Sequence, residues 1–70
     1  MSNYCVNKQT KNPGGNHEVH KEGCQWWPSF LNRDDLGEFQ SCHGAVQKAK
    51  DRGYPRVDGC KDCCPACHKE

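Results

Sequence analysis

Gly59–His68 reads GCKDCCPACH. Four cysteines and a histidine fall within these ten residues, and the whole chain of 70 carries seven cysteines. An apolar core has no need of sulfur at that density. Such a cluster is expected to hold a metal, to form disulfides, or to present a reactive thiol pair.

The rest of the chain shows why a staple is expected. Hydrophobic residues make up 33% of the sequence, and that figure counts the cysteines. A chain this short buries only about 60% of the surface it exposes when unfolded, so a domain with so few apolar side chains calls for a cross-link or a metal. Residues 1–70 are read as one small domain with a core running from about 4 to 68. The chain carries ten basic and nine acidic residues, for a formal net charge of +1. That argues against a general polyanion binder. Lys48, Lys50 and Arg52 are read as cations closing a helix against its dipole rather than as a nucleic-acid patch. Apolar runs are far shorter than the roughly 20 residues of a membrane span. The start, MSNYCVNKQTKN, has no apolar core of a secretory signal, so a cytoplasmic location is expected. In a reducing compartment clustered cysteines serve more often as metal ligands or redox thiols than as structural disulfides.

Tyr4–Lys8 alternates as a short strand, TKNPGGN reads as a turn, and HEVH (17–20) returns as a second strand, with His17 and Val19 on one side and Glu18 and His20 on the other. LGEF (36–39) reads as a third strand. SCHGAVQKAKDRG predicts a helix capped by the Ser41 hydroxyl, with Cys42, Ala45, Val46 and Ala49 facing the sheet and Gly53 at the left-handed position past its end. YPRVDG is read as a turn delivering Cys60, and Pro65 as the first turn of a short terminal helix. The fold class is therefore α+β: two or three short antiparallel strands packed on one helix. Trp26, Trp27, Phe30 and Leu31 are the largest apolar side chains in QWWPSFLNRDD. At least one tryptophan is expected in the core. Two adjacent ones cannot both point inward from a strand, so the other is a candidate partner anchor.

Zinc takes four ligands, commonly as two close pairs from separate parts of the chain. His20-Lys-Glu-Gly-Cys24 is an H-x3-C pair and Cys60-Lys-Asp-Cys63 a C-x2-C pair. Together they offer one histidine and three cysteines for a structural Zn2+. Cys64-Pro-Ala-Cys67 is a second C-x2-C pair, so the vicinal cysteines Cys63 and Cys64 leave two registers open. Cys67, His68 and His17 are further alternates. His17 and His20 fall on opposite faces of a strand and share a metal only if that segment turns. His43 reads as a solvated residue of the first helical turn. Cys42 and Cys5 read as free buried cysteines, although a bridge from either to Cys64 or Cys67 is also open.

The order of H-x3-C after a strand, LGEFQS, a helix with AVQKAKDRGY, and C-x2-C-x-P resembles the metal-binding domain of the Ada-type DNA-repair methyltransferases. It is also similar to small Ada-like zinc modules appended to bacterial nucleases. The resemblance spans residues 17 to 65. It implies a short sheet and one helix around a zinc held by the two pairs, and it favours Cys63 over Cys64. In the repair proteins the first cysteine of the early pair accepts a methyl group; His20 stands at the matching position and has no thiolate to methylate. The resemblance therefore supports a metal site and not methyl transfer. The chain also resembles a group of small bacterial proteins that end in CCPxCH.

Two other classes compete with a non-catalytic zinc module that binds a protein or nucleic acid through Trp26 and Trp27. One is a disulfide-stapled domain using Cys24, Cys42, Cys60, Cys63, Cys64 and Cys67. The other is a thiol redox protein using Cys64 and Cys67, which would need a thiol pKa well below about 8.5 on a framework larger than this chain supplies. CPACH also matches the short haem c attachment pattern, which requires export. No catalytic triad order, phosphate loop or H-E-x-x-H occurs.

Overall fold

The computed structural model describes residues 1–10 and 15–69. Among these the strands form one sheet in the order β3-β1-β2-β4. They are β1 (Ser2–Asn7), β2 (His17–Lys21), β3 (Arg33–Phe39) and β4 (Val57–Gly59), and one helix, α1 (Cys42–Asp51), packs on the sheet. The α+β architecture expected from the sequence is the one found. β1 pairs antiparallel with both β2 and β3, which accounts for the three expected strands. Most of the turn read between β1 and β2 falls on residues 11–14, outside the described residues.

β4 is the addition. YPRVDG is not simply a turn: Val57, Asp58 and Gly59 pair with His17, Glu18 and Val19, and the pairing is parallel. Parallel neighbours end at the same edge of a sheet. The end of β2 and the end of β4 are thus brought side by side, and the Cys60 N–H continues the ladder to the Val19 carbonyl at 2.9 Å. Gly59 lets the segment after β4 fold back against the strand, because a Cβ there would lie 2.7 Å from both the Cys64 carbonyl oxygen and the Cys67 Cβ.

Strand alternation sorts the sheet into two faces. Tyr4, Val6 and Val19 meet Leu36, Cys42, Ala45 and Ala49 on the helix side. Cys5 and His20 are cross-strand partners and lie on the other. A bulge between Tyr4 and Cys5 shifts the β3 register, so that Tyr4 faces Gly37 and Cys5 faces Asp35. Leu36 is the extra residue, and it is buried in the core.

α1 begins and ends as read, with Cys42, Ala45 and Ala49 buried and Gly53 at φ +93°. Its cap differs. Ser41 occupies the N-cap position without a side-chain cap hydrogen bond, and its Oγ lies 3.5 Å from His43 Nδ1 instead. Tyr54 folds back past the helix end, its N–H bonding the Ala49 carbonyl at 3.3 Å and its hydroxyl donating to Asp34 at 3.1 Å. The expected terminal helix is a single 3-10 turn, Pro65–Cys67.

The aromatic expectation is overturned. Trp26 is 53% exposed, Phe30 73% and Leu31 81%, and no tryptophan belongs to the core. Sulfur fills that volume: Cys42, Cys64 and Cys67 are buried core members. The segment carrying the aromatics runs from Cys24 to the outer strand β3, across the outside of the fold. Trp27 and Phe30 there meet the Arg33 guanidinium, 5.3 and 5.5 Å from their ring centres. Cys42, read as a free cysteine by default, forms a disulfide with Cys67.

Candidate metal centre

The shared edge formed by the ends of β2 and β4 gathers the site. His20 is the penultimate residue of β2, and Cys24 follows through a tight turn in which the Cys24 N–H bonds the Lys21 carbonyl at 3.1 Å. Gly23 sits in that turn at φ +96°, where a side chain would be strained. Cys60 directly follows β4. A second turn presents Cys63, and the Cys64 N–H closes it on the Cys60 carbonyl at 2.7 Å.

One ring nitrogen of His20 and the sulfurs of Cys24, Cys60 and Cys63 all lie within 4.8 Å of one another. Nδ1 of His20 is 3.9 Å from the Cys24 and Cys63 sulfurs, and the Cys24 and Cys60 sulfurs are 4.0 Å apart. A tetrahedral ion with metal–sulfur bonds of about 2.3 Å and metal–nitrogen bonds of about 2.0 Å requires edges of roughly 3.5 to 3.8 Å. These three separations are a few tenths of an ångström wider and all six fall within 4.8 Å, so these groups could hold a metal ion. His20 and Cys60 are buried, and Cys24 and Cys63 half-buried.

Neighbouring groups orient the donors. Glu18 lies two residues before His20 on the same face of β2, and its carboxylate is 3.8 Å from His20 Nε2. A carboxylate on the outer nitrogen is the usual companion of a ligating imidazole, since it turns the other nitrogen toward the metal. Backbone N–H groups point at two sulfurs: Lys21 to Cys63 at 3.3 Å and Trp26 to Cys24 at 3.4 Å. Such bonds favour the thiolate. Burial acts the other way. It pushes the Cys63 thiol well above its ordinary value, with the Lys21 amide opposing it, and it also raises Cys64. Cys5, fully buried behind His20, is pushed up to about 12, by burial first and then by the Asp35 charge. Unaided, the Cys63 thiol stays protonated; a bound dication would reverse that balance.

The alternates fall outside this group of four. The Cys64 sulfur lies 4.0 Å from that of Cys63 but is buried among the helix-side core residues, and Cys67 is bonded to Cys42. His17 Nδ1 is 2.9 Å from the Asn7 carbonyl, and its ring stands edge-on to Tyr54 at 5.1 Å. His68 Nδ1 is 3.1 Å from the Gly59 carbonyl and 3.2 Å from Asp58. It packs residues 68 and 69 against β4, where the Lys69 N–H also donates to Asp58 at 2.8 Å. Trp26 borders the centre, with its indole N–H donating to Asp62 between Cys60 and Cys63. Glu18 and Asp62 were not singled out from the sequence. The one available signal was the i, i+2 relation of Glu18 to His20 on a strand.

A second group, Cys42, His43 and Cys67, also brings its candidate ligand atoms within 4.8 Å. Among the described residues no helix is long and apolar enough to cross a membrane. Comparison with known protein families, curated proteins and solved structures finds no match to this chain.

Proposed function

We propose that this chain is a structural zinc module whose work is binding rather than catalysis. The observation that carries this is the convergence of His20, Cys24, Cys60 and Cys63, one nitrogen and three sulfurs, on a common centre. Zinc suits three thiolates and an imidazole in tetrahedral array. Four protein ligands leave no position for a reactive water, so the ion holds the fold and performs no chemistry. The likeness to Ada-type metal modules agrees with this reading and extends no further, since His20 replaces the methyl-accepting cysteine. Native mass spectrometry tests the assignment. Cys63→Ser is expected to weaken zinc binding by at least about 100-fold, as a neutral hydroxyl replaces a thiolate. Cys64→Ala is expected to retain one equivalent, because Cys64 belongs to the core. The reverse outcome would move the site to the other register.

The face such a module offers is the segment after Cys24. Trp26, Phe30 and Leu31 are exposed there, with Trp27 held beside them by Arg33. Exposed aromatic and aliphatic groups in one short segment mark an interaction surface. Asp62 accepts the Trp26 indole N–H and Asp35 pairs with Arg33, and the net charge is only +1, so a protein suits this surface better than a nucleic acid. Titration of the tryptophan fluorescence with DNA and RNA oligonucleotides at about 0.15 M salt is expected to leave the emission unchanged. Saturable binding tighter than roughly 1 μM, beyond the non-specific range, would overturn the choice of a protein partner.

A further inference from the structure

The helix start carries a second set of donors, away from the edge that holds His20. Cys42 opens α1 and is joined to Cys67, with Cα atoms 6.4 Å apart. Both sulfurs and a ring nitrogen of the next residue, His43, lie within 4.8 Å of one another. The cysteines are each 7% exposed, while His43 is exposed. We propose that the Cys42–Cys67 disulfide is the closed form of a second zinc site, and that reduction opens it as a three-ligand centre of Cys42, His43 and Cys67.

The chemistry balances with a thiol or phosphine reductant. The S–S bond breaks, two electrons pass from the reductant to the sulfurs, and two protons are taken up to give two thiols. The reductant leaves as its own disulfide or as a phosphine oxide, whose oxygen comes from water. Zn2+ then displaces the two thiol protons. The same two sulfurs serve the bridge and the metal, so the two states exclude each other.

The helix start places partial positive charge beside the Cys42 sulfur, although both cysteines are buried. Cys42 lies in the first turn of a 10-residue helix, where unpaired backbone N–H groups and the helix dipole stabilise negative charge. Zinc asks the two sulfurs to stand about 3.8 Å apart, a separation that side-chain rotation can supply. Three protein ligands leave a fourth position open. His43 and Cys67 both line a cavity of about 310 Å³ that also carries Lys50 and Lys69. Water or a small anion can reach the open position through it. This centre differs in kind from the first one: it has three ligands instead of four, and it exists only in the reduced chain.

The test is zinc stoichiometry by native mass spectrometry on the full chain, with the disulfide intact and after treatment with a non-chelating phosphine. One equivalent is expected in the bridged form and two in the reduced form. His43→Ala leaves both sulfurs in place and removes no core side chain. It is expected to leave the bridged form at one equivalent and to weaken the second zinc of the reduced form by at least about tenfold, the loss that follows even from removing an outer-shell partner. A reduced chain that binds a single zinc, held as tightly in His43→Ala, overturns the proposal. So does a second zinc whose affinity ignores the His43 substitution. A chain that takes no zinc when bridged and one when reduced, lost in His43→Ala, would support this site while overturning the His20 centre.

Discussion

Treatment with a strong chelator is expected to unfold the chain, not merely to loosen it. A structural zinc contributes about 10–16 kcal/mol at neutral pH, whereas a small domain has a net stability of only about 5–15 kcal/mol. The core offers little to fall back on. Its carbon side chains are Tyr4, Val6, Val19, Leu36, Ala45 and Ala49, and cysteines fill much of the remainder. The candidate ligands lie in or just past the two strands whose parallel pairing closes one edge of the sheet, so losing the ion is expected to free β4, the shortest strand, at three residues. Far-UV circular dichroism should lose its native form. Tryptophan emission should shift in parallel, because the Trp26 indole is bonded to Asp62, which lies between Cys60 and Cys63. A metal-free chain, verified by mass, that keeps its native spectrum would refute a structural role for the ion.

The parts of this fold that were legible in the sequence are local. The helix announces itself through Cys42, Ala45 and Ala49 at helical spacing and Gly53 past its end. The β1–β2 pair alternates over a few residues. Each ligand pair is a short turn, so His20 with Cys24 and Cys60 with Cys63 can be picked out without knowing the fold. What joins the pairs is not local. β4 is three residues long with a single apolar member, Val57, and a parallel partner far away in sequence leaves no periodic trace. The choice between Cys63 and Cys64 depends on that strand, because its end at Gly59 sets how the following turn rotates: Cys63 meets His20, and Cys64 enters the core. The aromatics misled for a related reason. Size and apolarity say what a side chain gains from burial, yet Trp26, Phe30 and Leu31 sit on a connection fixed at one end by the site and at the other by the outermost strand. That path leaves them outside, and sulfur takes the volume they would have filled.

Replacing both Cys42 and Cys67 with alanine is expected to cost the zinc-loaded chain roughly 3 kcal/mol, with the fold and the His20 centre retained. The bridge joins residues 25 apart, and a loop of that length removes about 3.5 kcal/mol of denatured-state entropy. The zinc changes this figure only slightly. It already ties the region of Cys24 to Cys60 and Cys63, but the route from Cys42 to Cys67 through the metal is nearly as long as the direct one, so the bridge still closes a sizeable loop. The two cross-links therefore constrain different parts of the chain. A metal held by His20, Cys24, Cys60 and Cys63 would fasten β2 to β4, and the bridge fastens the start of α1 to the turn after β4. Urea denaturation of the zinc-loaded protein should show the midpoint falling, with one zinc still bound in the native baseline. Reduction of the unsubstituted chain in excess zinc should cost less than the double replacement, because a metal at Cys42, His43 and Cys67 restores the same cross-link. Equal losses in the two experiments would deny the second centre, and no loss in the double replacement would mean that the two sulfurs are not joined in the folded chain.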